Sequence, residues 1–149
     1  MAQSEFSSDT TILENLRWAT LSCIDAQGKP YAVPLNVIYC KEENCLFFHC
    51  GTTGRKVSAL DKNPQVCLTA VLDETLVPEK FSTHYTCVLV EGQAKRVSDA
   101  TQARKALVYL TEALAPGELK HHPGILKQKE GAYLIYKIDI DSICCKKHF

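Results

Sequence analysis

Residues 29–40, KPYAVPLNVIYC, constrain the fold more than any other stretch of the chain. As a β-strand they place Tyr31, Val33, Leu35, Val37 and Tyr39 on one side and Ala32, Pro34 and Ile38 on the other. Both faces are therefore apolar, and neither is expected to be left in water. Pro34 in the middle has no N–H to give to a ladder, which implies an edge, a bulge or a local opening. The neighbouring segments are strand-like as well. Residues 16–25, LRWATLSCID, end in the turn signal Asp25-Ala26-Gln27-Gly28, and residues 45–50, CLFFHC, follow a polar pause at 41–44. The expectation is a three-stranded meander.

Beyond it, residues 51–64 read as a turn and a short helix. Thr52 or Thr53 caps its start, Val57 and Leu60 face inward, and Pro64 turns Asn63 out of the helical region. Residues 65–72 form a buried strand. Residues 73–83, with Pro78 and several charges, read as a loop, and residues 85–97 as a strand in which Gly92 marks a bulge or a close backbone approach. From 99 to 114 the period changes: Ala103, Leu107, Leu110 and Leu114 recur at helical spacing, and Pro116-Gly117 ends the amphipathic helix. A polar connection through His121 and His122 leads to a last strand over 132–146. Strands crowded together with helices inserted between them predict an α+β, mainly β fold around an antiparallel sheet or barrel of six strands. Residues 1–149 read as one domain, with 1–14 as an N-terminal extension.

Seventeen Lys and Arg balance seventeen Asp and Glu, so no basic field exists to hold a nucleic acid. The same neutrality removes self-repulsion and leaves the chain free to pair with a copy of itself. No run approaches the ~20 apolar residues that span a bilayer, and the first eleven residues do not form an export signal. A cytoplasmic protein without a membrane partner is expected. Its eight cysteines then read as reduced thiols packed as small hydrophobes. Cys40, Cys45, His49 and Cys50 could suggest a metal site. In a strand, however, Cys45 and His49 share a face while Cys50 points away, and no Cys-x-x-Cys knuckle is present, so no metal is expected. Trp18, the single indole, is expected to pack in the core.

The segment FFHCGTTGRK, residues 47–56, carries chemistry: a strand passes through a turn into a helix whose first turn bears Arg55 and Lys56. Helix N-termini present unpaired N–H groups and partial positive charge, and two cations add formal charge for a phosphate. Gly51 and Gly54 allow a ligand to approach the backbone. The alternative is that Arg55 and Lys56 line the solvated face of a surface helix, and local chemistry alone does not decide between the two. Neither a P-loop nor a dinucleotide-binding glycine pattern is present.

The succession GKPYAVPLNVIY, LFFHCGTTGRKVSALDKNPQVC and VLVEGQA resembles the flavin mononucleotide (FMN)-binding split-barrel proteins related to pyridoxamine phosphate oxidase. It is closest to their nitroimidazole-resistance, flavin-nucleotide-binding branch. The resemblance implies a six-stranded Greek-key split barrel with flanking helices, paired as a homodimer with FMN in clefts between subunits. It further implies phosphate binding by Arg55 and Lys56 with Thr52, Thr53 and Gly54, and a flavin-ring wall formed by Val33, Pro34, Leu35 and Asn36. His49 takes the place of the branch's histidine, either as a proton-transferring catalytic residue or as a residue that only contacts the cofactor or fills a packed position. The implied activity is an FMN-dependent oxidoreductase that takes electrons from a reduced nicotinamide and passes them to a small electron-poor, nitroimidazole-like substrate. The alternatives are a non-catalytic flavin-storage or flavin-sensing module and a split barrel that binds haem or a deazaflavin.

Overall fold

A computed structural model describes residues 3–149. Eight strands, β1 (Ser4–Ser7), β2 (Trp18–Ile24), β3 (Pro30–Asn36), β4 (Ile38–Cys40), β5 (Cys45–Cys50), β6 (Gln65–Val77), β7 (Ser82–Arg96) and β8 (Leu134–His148), form one antiparallel sheet. The helices are α1 (Arg55–Lys62), α2 (Ala100–Leu114), α3 (Glu118–His121) and α4 (Ile125–Gln128). The sheet runs β3-β2-β6-β7-β8-β5-β4, with β1 paired to the end of β8. Its two terminal strands, β3 and β4, are consecutive in the chain. Only Val37 lies between them, and its N–H leaves the ladder to bond the Arg17 carbonyl at 3.1 Å. The sheet therefore curls until its ends meet at one residue without a closing ladder, which gives the mainly β, split-barrel architecture expected, with eight strands in place of six because β1 is added and residues 29–40 divide.

Residues 29–40 are two strands rather than one, because that stretch pairs with β2 up to Asn36 and with β5 from Ile38. The division also explains its two apolar faces. In the second half, Val37 points into the barrel while Ile38 and Cys40 join Cys45, Phe47 and Ile135 beneath Ala106 and Leu110 of α2. In the first half no helix covers the outside. Ala32 and Pro34 are exposed, and Pro34 is tolerated because β3 is a terminal strand.

Inside the barrel, Leu21, Leu46, Phe48, Leu68, Val90, Tyr136 and Ile138 form the main core, with the Phe48 and Tyr136 rings stacked at 5.0 Å. Trp18 is not among them. Ala19, Leu21 and Cys23 take the inward positions of β2, so the period-2 alternation sends Trp18 outward, where it stays 60% exposed. The expected loop at 73–83 is also absent. β6 and β7 continue there as a paired ribbon, Asp73 opposite Thr86 through Val77 opposite Ser82, and Pro78 sits in the turn. Ladder hydrogen bonds carry the β6–β7 pairing on to the turn, and the charges and proline of the segment hid it.

The N-terminal extension is structural as well: β1 lies along β8, and a 3₁₀ turn over Thr10–Asn15, capped by Asp9, buries Leu13. α2 spans the expected residues, with Asp99 accepting from the Gln102 N–H at 2.9 Å. Among the described residues no helix is long and apolar enough to cross a membrane.

Candidate functional site

The passage from β5 into α1 is shaped by Gly54, whose φ of 133° lies in the region that favours glycine. Gly54 occupies the N-cap position, so neither Thr52 nor Thr53 caps the helix, and both lie exposed in the turn. Their hydroxyls stay available to a ligand instead. Arg55 and Lys56 are the first two helical residues, and Val57, Ala59 and Leu60 bury the opposite face against the barrel.

Arg55 does not wave in solvent. Its Nη2 and Nε donate to Oδ2 of Asp25 at 2.8 and 3.2 Å, and its guanidinium carbon lies 4.2 Å from the centre of the Tyr31 ring. The Asp25 side chain is only 3% exposed, whereas that of Arg55 is 52% exposed. Asp25 Oδ1 also accepts from the backbone N–H groups of Gln27 and Lys29, which ties the β2–β3 turn to the start of α1. The Lys29 N–H foremost, then Arg55 and Gln27, hold the Asp25 carboxyl below the ordinary carboxylate range against the opposing effect of burial. One edge of the guanidinium is thus fixed by carboxylate and aromatic ring while the remainder faces out. Lys56, half-buried beside it, has no carboxylate partner among the described residues. Two cations against one anion leave the corner positive.

His49, near the end of β5, stands close by. Its Nδ1 is buried without a hydrogen-bond partner, and its ring meets that of Tyr133 edge-on, 5.0 Å between centres. Burial first, then the positive charges of Lys129 and Lys56, push its pKa below the ordinary histidine value. His49 therefore rests neutral near pH 7. Because its folded pKa is depressed, its contribution to stability is complete above the unfolded value of about 6.5 and is lost as pH falls below it. The unfolding midpoint of the wild-type chain is expected to drop as pH is lowered from about 6.5, and His49→Gln should flatten that drop. Parallel melting curves in the two proteins would reject the assignment.

The β3 residues divide. Val33 and Leu35 face the barrel core, Pro34 faces outward, and the Asn36 side-chain amide donates to the Arg17 carbonyl at 3.0 Å. In the protomer, one side of this terminal strand has no strand neighbour. Sequence reasoning missed Asp25 and Tyr31 as site residues, because a turn aspartate and a strand tyrosine carry no signal of the arginine they hold. His121 and His122 are exposed, His122 lying 3.6 Å from Glu118.

All eight cysteines are free thiols. Cys40 and Cys45 are register partners, and their sulfurs lie within 4.8 Å of each other and of a Glu43 carboxylate oxygen; His49 and Cys50 are not part of this group. Burial foremost pushes the Cys45 thiol up to about 12, so it rests protonated under α2.

Comparison with known proteins adds to this geometry. The family model described as pyridoxamine 5'-phosphate oxidase matches residues 10–147. A comparison with curated proteins returned no match. Among solved structures, the chain is similar to a candidate 5-nitroimidazole antibiotic resistance protein of Bacteroides thetaiotaomicron, with TM-score 0.77 and 21% identity over 99% of this chain and 89% of that one. It is also similar to an FAD-binding protein of Mesorhizobium loti, with TM-score 0.69 and 21% identity over 97% of each chain. An FAD and heme binding protein of Mycobacterium smegmatis gives TM-score 0.79 and 18% identity over 95% of this chain and 72% of that one. Identities this low speak to the fold alone. The matched segment runs from the 3₁₀ turn almost to the end of β8 and takes in Asp25, His49 and Arg55, and on that footing the chain belongs to the pyridoxamine 5'-phosphate oxidase family.

Proposed function

We propose that the protein is a cytoplasmic homodimer that binds FMN and passes electrons from a reduced nicotinamide to a small electron-poor acceptor of the nitroimidazole kind. One observation carries the reading: a half-exposed guanidinium is held at a helix N-terminus by a buried carboxylate and an aromatic ring, with a second cation beside it. Such an arrangement suits a phosphate, which takes charge-assisted bonds from Arg55 and Lys56 and further bonds from the backbone and hydroxyls of residues 52–54. The orphaned Nδ1 of His49 suits a polar edge of the same ligand. Family membership and the FAD-binding neighbours support a flavin, and the single-phosphate corner favours the mononucleotide.

Bound flavin would supply the hydride-transfer chemistry. The chain's part is to anchor, to line and to handle one proton. Reduction of a nitro group to nitroso takes one hydride and one proton and releases water. His49 rests neutral, so it serves as a hydrogen-bond partner and must first take up a proton before handing it on at Nδ1. The test is the absorbance of the purified protein followed by anaerobic titration. Flavin bands that bleach with NADH or NADPH and return with a nitroaromatic are expected. Flavin bands that no nicotinamide bleaches would identify a binding module, and a Soret band would point to haem; either result overturns the reductase reading.

The homodimer is supported by the outer face of β2, β3, β6 and β7. Trp18, Pro34, Val71 and Leu89 line an open groove of ≈ 630 Å³, and Val71, Leu76 and Phe81 are 66%, 68% and 99% exposed. A surface so apolar on a chain without net charge calls for a partner. Trp18→Glu places a charge on that face and is expected to convert a two-chain mass in light scattering to one chain. A wild-type mass of one chain would reject the dimer.

A further inference from the structure

A cavity of ≈ 650 Å³ lies between α2, α4 and the segment that opens β8, a volume typical of sites for small molecules. Ala103, Leu107 and Ile135 give it apolar walls, while Arg104, Lys105 and Lys129 stand around it against a single carboxylate, Glu130. Among the described residues none of the three cations has a carboxylate within 4.0 Å. The cavity shares a wall with the His49 corner. Tyr133 lines it, the same ring meets His49 edge-on, and Lys129 Nζ lies 5.5 Å from that ring's centre. Lys129 is also close enough to His49 to oppose its protonation.

We propose that this cavity binds a small planar aromatic anion, an aromatic carboxylate in the simplest case, with its ring against Leu107 and Tyr133 and its charge at Lys129. Apolar walls demand an apolar body, and unpaired cations at the rim favour one negative group. Placed beside His49, the occupant is the electron-accepting substrate, an assignment that rests on the flavin reading above; the binding itself does not.

The test titrates 4-nitrobenzoate into the full-length protein by calorimetry, with and without saturating FMN. One site per chain is expected, and neutral 4-nitrobenzyl alcohol should bind about tenfold or more weakly, the equivalent of one charge-assisted contact. Lys129→Ala should abolish that preference, and Leu107→Trp, which fills the space, should abolish binding of both compounds. FMN affinity should be unchanged in both variants. Equal binding of the two probes, retention of the preference in Lys129→Ala, or a parallel loss of FMN in that variant would overturn the proposal. Should Leu107→Trp fail to fold, the exposed substitution Lys129→Glu decides alone by reversing the preference. Failure of the flavin reading shows separately, as a wild-type chain that takes up 4-nitrobenzoate but no FMN.

Discussion

Replacing Arg55 and Lys56 together by alanine is expected to weaken FMN binding by about 3–6 kcal/mol, roughly 10²–10⁴-fold, since each charge-assisted contact contributes about 1.5–3 kcal/mol. The single variants should differ in kind. Lys56 has no carboxylate partner among the described residues, so Lys56→Ala should reduce affinity and leave the unfolding midpoint unchanged. Arg55 is the cation of a buried carboxylate, so Arg55→Ala strands Asp25 with only its two backbone donors and should lower stability as well as affinity. Adding Asp25→Asn to Arg55→Ala removes the stranded charge and should restore the midpoint without restoring affinity. Fluorescence quenching of free flavin reads the affinity, and thermal unfolding reads the stability. Unchanged affinity in the double alanine variant would sink the phosphate assignment.

Much of this architecture could be read from local pattern, and the errors share one cause. α2 was legible because its apolar residues recur at 3.6 and Asp99 marks its start; β5 because CLFFHC is a short apolar run between a turn and a glycine. Trp18, the 73–83 ribbon and the break at Val37 were not, since each depends on what lies across the sheet. Nothing in residues 29–40 says that α2 returns to cover Ile38 and Cys40 while leaving Ala32 and Pro34 bare. The anion corner was legible as Arg55 and Lys56 because helix starts and paired cations are sequence-local. Its clamp was not, because Asp25 lies thirty residues away and already has a sufficient explanation as the first residue of a turn. The fold thus converts a turn residue into a positioning residue, which is information that only tertiary pairing supplies.

Gly92→Ala is expected to cost about 3–5 kcal/mol, a large share of the 5–15 kcal/mol that stabilises a domain of this size, and to leave little soluble protein. A Cβ at this position would fall onto the Asp139 carbonyl oxygen, with the carbonyl carbon at 3.1 Å and Ile138 Cγ2 at 3.2 Å. The obstruction is backbone, so no side-chain rotation relieves it. Strands β7 and β8 would have to part at the register shift where Gly92 pairs with Ile140 and Glu91 with Ser142. That pairing is the longest in the sheet together with β6–β7, and it ends on β8 at Tyr136, opposite Phe48 and next to Ile135, which pairs with His49. Any displacement there is carried toward the candidate site, so protein that survives purification should also bind flavin weakly. Gly124→Ala is the control: its added methyl meets nothing within 4 Å and its φ is −93°, so it should change stability by no more than about 0.5 kcal/mol. Denaturant unfolding of the two variants separates a steric requirement from a general preference for glycine. A Gly92→Ala protein as stable as wild type would show that the two strands need no such close approach where Asp141 bulges from β8.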